Sequence, residues 1–319
     1  MSAPDLRVEL GRGLLLPNPV GLASGTAGYG FELRQLVEIE RLGALFTKGT
    51  TLGAREGNPP PRVAEVRGGM LNSIGLHNPG VEHVASVYAA DFARWAIPVV
   101  VNVAGGSVED YLGCLDRLDA APGIAGYELN ISCPNIAGGL DYGRDPAAAA
   151  RLVAAARTRT ARHLIVKLSP NVTDIAAVAR AVEDAGADSV SAVNTYVGMK
   201  VHRGIRAPVL PGRGTGGLSG PVIKPLALAA VAQVRAAVSI PVVGVGGIMD
   251  AGDALEFLIA GADAVQVGTA TFVNPASALE VLDGLIALAE RAGARNVAEL
   301  RRPAAGGVPP AGIEPASTG

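Results

Sequence analysis

Cysteine is nearly absent. The 319 residues hold two, Cys114 and Cys133. Two thiols do not make a disulfide framework, which points to a reducing compartment. Nor can they supply the four ligands of an ordinary iron–sulfur cluster. Aromatic residues amount to 4%. The formal net charge is −2 and no block of like charges occurs, so nothing suggests a nucleic-acid or membrane partner. The start, MSAPDLRVELGRG, lacks an apolar run of signal-peptide length. Elsewhere the longest apolar stretches, such as 97–104, are strand-sized and far short of a membrane span. A cytoplasmic chain without a metal set is expected.

What the sequence has in quantity is apolar residues, 49%, and glycine, 42 of them. The first is ample for a core. The second suits a parallel sheet with many tight strand-to-helix turns.

Short β-branched runs alternate with alanine-rich helical stretches. Strands are expected at 20–23, 44–48, 98–103, 126–131, 164–168, 189–193, 241–245 and 264–267. Most are apolar throughout, as strands covered on both faces should be. Helices are expected at 31–41, 81–93, 108–119, 146–161, 175–185, 223–237, 251–260 and 276–292. Gly186 and Gly261 fit helix C-caps. Eight βα units favour a (β/α)8 TIM barrel, with an open doubly wound sheet as the alternative. The barrel takes up residues 1–302 as one domain with long βα loops at its C-terminal face. Residues 7–16 suit a hairpin closing the barrel bottom. The Pro/Gly/Ala/Ser-rich tail, 303–319, reads as disordered. Two connections are long, 49–97 and 195–240. Both leave the C-terminal ends of strands, where barrel enzymes build their sites.

The candidate residues cluster at those strand ends. Gly246-Gly247 and Gly268-Thr269 close the seventh and eighth strands, the usual phosphate grip of this fold. Tight turning is their plain structural reading. Lys167 lies inside an apolar strand, where burial is costly unless it meets a negative charge. It is either half of an ion pair with a core carboxylate or a cation beside a reduced flavin. Lys48, at the end of the second strand, raises the same question. Asn102, Asn130 and Asn194 occupy matching strand ends, with Asn72 in the first long loop and Asn135 near Cys133. One asparagine alone is more often a loop cap. Five around one rim suit a planar ligand with imide-like edges, such as a pyrimidine or an isoalloxazine. Cys114 falls inside a helical pattern and reads as structural. Cys133, between asparagines in a Pro- and Gly-containing loop, is either buried and structural or a thiolate base for a carbon-bound proton.

At Asn130-Ile131-Ser132-Cys133-Pro134-Asn135 the chain resembles the class 1 dihydroorotate dehydrogenases. The resemblance runs from about residue 6 to 288. Its other landmarks are Lys48-Gly49-Thr50-Thr51, Gly57-Asn58-Pro59 with Arg62, Asn72-Ser73-Ile74-Gly75-Leu76, Asn78-Pro79-Gly80, Asn194-Thr195 and 216–220. Segments 58–65, 69–72 and 253–258 look like the 1B type. The resemblance implies oxidation of dihydroorotate to orotate in pyrimidine biosynthesis, with FMN as cofactor and Cys133 as base. It implies FMN contacts at Ser24, Lys48, Gly49, Asn102, Asn130, Lys167, Val193, Gly220, Gly246, Gly247, Gly268 and Thr269. Substrate contacts are implied at Lys48, Asn72, Ser73, Ile74, Gly75, Leu76, Asn130, Asn194 and Thr195. A 1B chain is expected to form a homodimer core in a heterotetramer, whose second subunit carries FAD and a 2Fe–2S cluster and passes electrons to NAD+. The alternatives are a fumarate-dependent 1A enzyme and a related dihydropyrimidine dehydrogenase. Gly49 stands where many relatives have alanine, a change expected to be tolerated.

Overall fold

A computed structural model describes residues 3–132, 142–212 and 214–302. The tail at 303–319 lies outside the described residues. Chain order begins with a hairpin, β1 (Val8–Glu9) and β2 (Leu15–Leu16), followed by β3 (Val20–Leu22) and β4 (Ala44–Phe46). The first long connection carries β5 (Val63–Val66) and β6 (Gly69–Asn72). Then come β7 (Val99–Val103), β8 (Gly126–Asn130), β9 (His163–Lys167) and β10 (Ser189–Ala192). The second long connection carries β11 (Tyr196–Met199), β12 (Val201–His202), β13 (Ala207–Pro208) and β14 (Thr215–Ser219). The last two strands are β15 (Val242–Val245) and β16 (Ala264–Val267).

Strands β3, β4, β7, β8, β9, β10, β15 and β16 close a parallel barrel in that order. All eight foreseen strands are present, each within two residues of the expected ends. Every barrel strand is buried apart from Asn130 at its end, because helices cover the outside and side chains fill the inside. Helix starts follow their sequence signals. Ser107 and Asp110 form a reciprocal capping box for the helix Val108–Asp119, and Asp145, Asp174 and Asp250 cap three others. Gly186 and Gly261, at φ +98° and +109°, end their helices as expected.

The helix expected at 146–161 ends at Arg157, and two further helical expectations are corrected in kind. The stretch 31–41 is helical only at Phe31–Arg34, with a separate 3-10 turn at Ile39–Arg41. The helix at 81–93 contains a five-residue π segment, Val84–Tyr88. Neither departure shows in apolar periodicity, which reads spacing and not hydrogen-bond register.

The hairpin plugs the bottom of the barrel. Leu10, Leu14 and Leu16 are buried, and the Gly11 carbonyl meets His163 Nδ1 at 2.8 Å. At the other end the two long connections join one antiparallel sheet, in the order β11-β14-β6-β5. That sheet stands over the C-terminal ends of the barrel strands and walls the site described next. No helix among the described residues is long and apolar enough to cross a membrane.

Candidate active site

Side chains two apart on a strand share a face, so Glu128 and Asn130 of β8 both point into the barrel. Glu128 is fully buried and is the register partner of Asn102 on β7. Its Oε2 accepts from Asn102 Nδ2 at 2.6 Å and lies 3.7 Å from Lys167 Nζ. Its Oε1 accepts from Ser191 Oγ at 2.8 Å and from Gln266 Nε2 at 2.9 Å. Lys167 Nζ also donates to Ser24 Oγ at 3.0 Å and Gln266 Oε1 at 3.4 Å. A lone charge here would carry a desolvation cost of several kcal/mol, so each ion makes the other's burial tolerable. The core carboxylate that Lys167 required is therefore Glu128. Sequence reading did not single it out. The signal was present: a carboxylate in an apolar strand, in phase with Asn130.

Above that pair the asparagines form a row. Asn102 Oδ1 accepts from Asn130 Nδ2 at 3.5 Å, and Asn130 Oδ1 accepts from Asn194 Nδ2 at 3.2 Å. Asn194 Oδ1 accepts from the Thr195 backbone N–H at 2.8 Å. Asn102 is buried and the other two are half-buried, as amides facing a ligand space would be. Val193 follows them at the end of β10, its N–H donating to the Val245 carbonyl.

The glycine-rich loops sit side by side. Gly220, Gly246 and Gly247 adopt φ of +95°, +132° and +82°. A Cβ on Gly247 would stand 2.8 Å from Lys224 N and 2.9 Å from the Gly220 carbonyl oxygen. Backbone here packs against backbone, which only glycine allows. Thr269, next to Gly268, donates from its hydroxyl to Ser219 Oγ at 2.9 Å, tying the end of β16 to β14. Exposed amides and hydroxyls at these two strand ends suit a phosphate.

The opposite wall is built by the first long connection. Lys48 is held below its ordinary pKa by burial and then by the Arg62 guanidinium. Among the described residues Lys48 has no carboxylate partner. Two neighbouring cations suit an anionic ligand. Arg62 Nη2 donates to the Glu56 carbonyl at 3.0 Å and Nε to that of Asn58, which fixes its loop. Asn58 Nδ2 donates to the Ser73 carbonyl at 3.0 Å and to Ser73 Oγ at 2.9 Å. The Ile74 carbonyl accepts from Asn58 N. Gly75 and Leu76 follow at φ +74° and +57°. Leucine in the left-handed region is uncommon, and such strain gathers at ligand clamps. Asn78 holds it in place. This buried amide donates to Thr51 Oγ1 and the Leu76 carbonyl, both at 2.7 Å, and accepts from Gly80 N at 2.8 Å. Asn72, on β6, donates to the Gly217 carbonyl of β14. Gly49 leaves a gap that a methyl would enter tightly, 3.1 Å from Asn102 Oδ1 and 3.3 Å from Leu76 Cδ2.

Cys133 and Asn135 lie outside the described residues. Cys114 is fully buried in its helix, and burial lifts its thiol to about 12, as a structural cysteine's should be. A depression of about 470 Å³ at the barrel bottom, beside Trp95 and Arg162, includes none of the expected site residues. The Arg162 guanidinium there is occupied by the carbonyls of Asp119, Ala121 and Ile124, so it offers no reactive group.

The sequence is similar to those of known proteins. The sequence model of one family, described as dihydroorotate dehydrogenase, matches residues 7–288. A protein of Pelobacter propionicus named dihydroorotate dehydrogenase B (NAD(+)), catalytic subunit, is 50% identical over 298 residues, covering 93% of this chain and 97% of that one. Proteins of the same name are similar in Trichlorobacter lovleyi, 52% identical over 283 residues (88% and 92% of the two chains), and in Porphyromonas gingivalis, 49% over 294 (92% and 95%).

Proposed function

The chain belongs to the dihydroorotate dehydrogenase family, and on that premise we propose that it oxidises dihydroorotate to orotate in pyrimidine biosynthesis as a 1B catalytic subunit. The observation that carries this reading is the three-part mouth: glycine-backbone loops on one side, a row of amides across the centre, and the Lys48–Arg62 cations on the other. These match the phosphate, the hydrogen-bonding edges and the carboxylate of a flavin mononucleotide and a dihydropyrimidine acid. A non-catalytic phosphate barrel would need neither the amide row nor the cation pair. An enzyme for dihydrouracil, which has no carboxylate, would give the neighbouring Lys48 and Arg62 cations no substrate anion to meet.

The residues fit FMN. Gly247 and Gly220 lie so close to neighbouring backbone that no Cβ fits, a glycine-only turn of the kind that lets a chain approach a phosphate, and Lys167 with Ser24 stands at the ends of β9 and β3. When bound, FMN supplies a two-electron acceptor for the hydride from C6 of the substrate. Gly220, Gly246, Gly247, Gly268 and Thr269 would hold its phosphate. Asn102, Asn130, Lys167 and Val193 would hold its ring. Lys48 and the backbone of Asn72 to Leu76 orient the substrate carboxylate, and Asn130, Asn194 and Thr195 read its amide edges. Cys133, three residues after Asn130 in the sequence, takes the C5 proton as thiolate. The strained Leu76 clamp and the sheet above it exclude water from the reacting carbons.

The electrons then leave for NAD+ through a partner subunit carrying FAD and a 2Fe–2S cluster, in a cytoplasmic heterotetramer. The relatives' designation as NAD(+)-linked catalytic subunits supports this over the fumarate-dependent alternative. The chain's two cysteines leave the cluster to another protein. The test is the chain purified alone. It should be yellow, be bleached anaerobically by dihydroorotate and not by dihydrouracil, and reduce a dye but not NAD+. A colourless protein that takes up no FMN would end the proposal. Rapid reoxidation by fumarate would move it to the 1A type.

A further inference from the structure

We propose that Glu128 is a positioning residue that fixes which way the amide of Asn102 faces and through it supports the orientation of Asn130 and Asn194, and so helps set the donor and acceptor pattern that the barrel mouth offers to orotate. The inference rests on the function proposed above. Glu128 touches no ligand itself. It is fully buried beneath Asn102.

Three groups donate to the carboxylate, Asn102 Nδ2, Ser191 Oγ and Gln266 Nε2, and the Lys167 ammonium stands 3.7 Å from it. An acceptor of this kind can receive only the NH2 end of Asn102. Turning that amide over would set an oxygen against a carboxylate in a dry interior, where an unmade hydrogen bond is expensive. Asn102 must therefore point its oxygen toward Asn130. Asn130 answers with its NH2 and passes its oxygen on to Asn194 Nδ2. Asn194 answers in turn and closes the row by accepting from Thr195 N. One buried charge thus fixes the first amide, and the backbone N–H groups of Ser132 and Thr195, which donate to Asn130 Oδ1 at 3.3 Å and Asn194 Oδ1 at 2.8 Å, hold the next two in the same sense. Shape gives Asn102 no such preference, because an amide turned over has the same outline, and the carboxylate beneath it supplies one.

The test compares two ligands. Orotate presents O4 and N3–H. Its 4-amino analogue presents an amine and a bare N3, the same outline with donors and acceptors exchanged. Affinities for both are read from the visible spectrum of the FMN-loaded protein. In Glu128→Gln the amide of Asn102 is free to turn over and set its NH2 against that of Asn130, and the orotate-to-analogue affinity ratio should fall about tenfold, the effect of one hydrogen bond offered the wrong way round. Glu128→Asp remains an acceptor and should keep the parent ratio even if both ligands bind more weakly. General damage would weaken both ligands alike, so an unchanged ratio in an FMN-loaded Glu128→Gln protein overturns the proposal. Should that variant not fold, the unaltered protein decides. Neutron diffraction should find the Asn102 amide protons facing Glu128, and protons facing Asn130 instead would overturn it. If the unaltered chain binds neither FMN nor orotate, the failure is that of the proposed function and is seen before any variant is made.

Discussion

The side-chain amide of Asn72 donates to the carbonyl of Gly217 at 3.2 Å, across 145 residues of chain. The two are also register partners in β6 and β14. This contact joins the two long connections into one wall over the barrel mouth. Gly217 lies so close to its neighbours that a Cβ would fall 2.3 Å from Thr195 Oγ1. Gly217→Ala should therefore push Thr195 and Asn72 aside, weakening orotate binding roughly tenfold while FMN content stays at the parent level. Spectral titration with orotate measures it. Parent-like affinity would detach this sheet from the substrate.

Lys48 lies below its ordinary value of 10.5, first because of burial and then because of Arg62. Only its protonated form attracts a carboxylate. Orotate affinity should then fall as pH rises through the Lys48 pKa, starting below 10.5. Lys48→Met should bind orotate roughly 10- to 100-fold more weakly, the usual worth of a charged hydrogen bond, and should lose this alkaline limb. A variant that keeps the limb would assign it to another group.

Lys167 and Glu128 lie beneath the asparagine row of the barrel mouth, 3.7 Å apart. Removing one charge leaves the other buried and uncompensated. Lys167→Met should cost about 3 kcal/mol in a denaturant titration, and adding Glu128→Gln should restore most of it. The single variant should also hold a flavin that is harder to reduce. A double variant no more stable than the single one would show that the pair is not energetically coupled.

At the opposite end, burial lowers His163 from 6.5 to about 4, so the folded state keeps it neutral. Between those values the unfolded chain binds the extra proton. Stability should be fully present above 6.5 and drain away as pH falls toward about 4, by up to about 3 kcal/mol. Thermal melts across that range should show a shallower acid slope in His163→Gln. An identical slope would place the acid sensitivity elsewhere.

Cys133→Ser should retain FMN yet reduce it roughly 10²–10⁴-fold more slowly with dihydroorotate, since serine is far harder to ionise. The residual rate should climb with pH. Stopped-flow bleaching at neutral pH as fast as the parent's would remove Cys133 from the base role.

The sequence by itself determined the barrel. Eight apolar runs separated by amphipathic stretches can be covered on both faces in few other ways, and each run became a strand. It also determined which strand ends carry chemistry, because glycine, asparagine and lysine at the ends of buried strands conflict with simple packing. The bottom hairpin was legible from its glycines for the same reason. Only the tertiary structure decided what these residues do to one another. That β6 would pair with β14 depends on two connections meeting in space, and neither carries a local signal of its partner. The carboxylate owed to Lys167 could have come from any strand, and closure of the barrel chose Glu128. The direction of the asparagine row is likewise invisible in the chain. An amide's two ends look alike until a neighbouring charge makes one of them wrong.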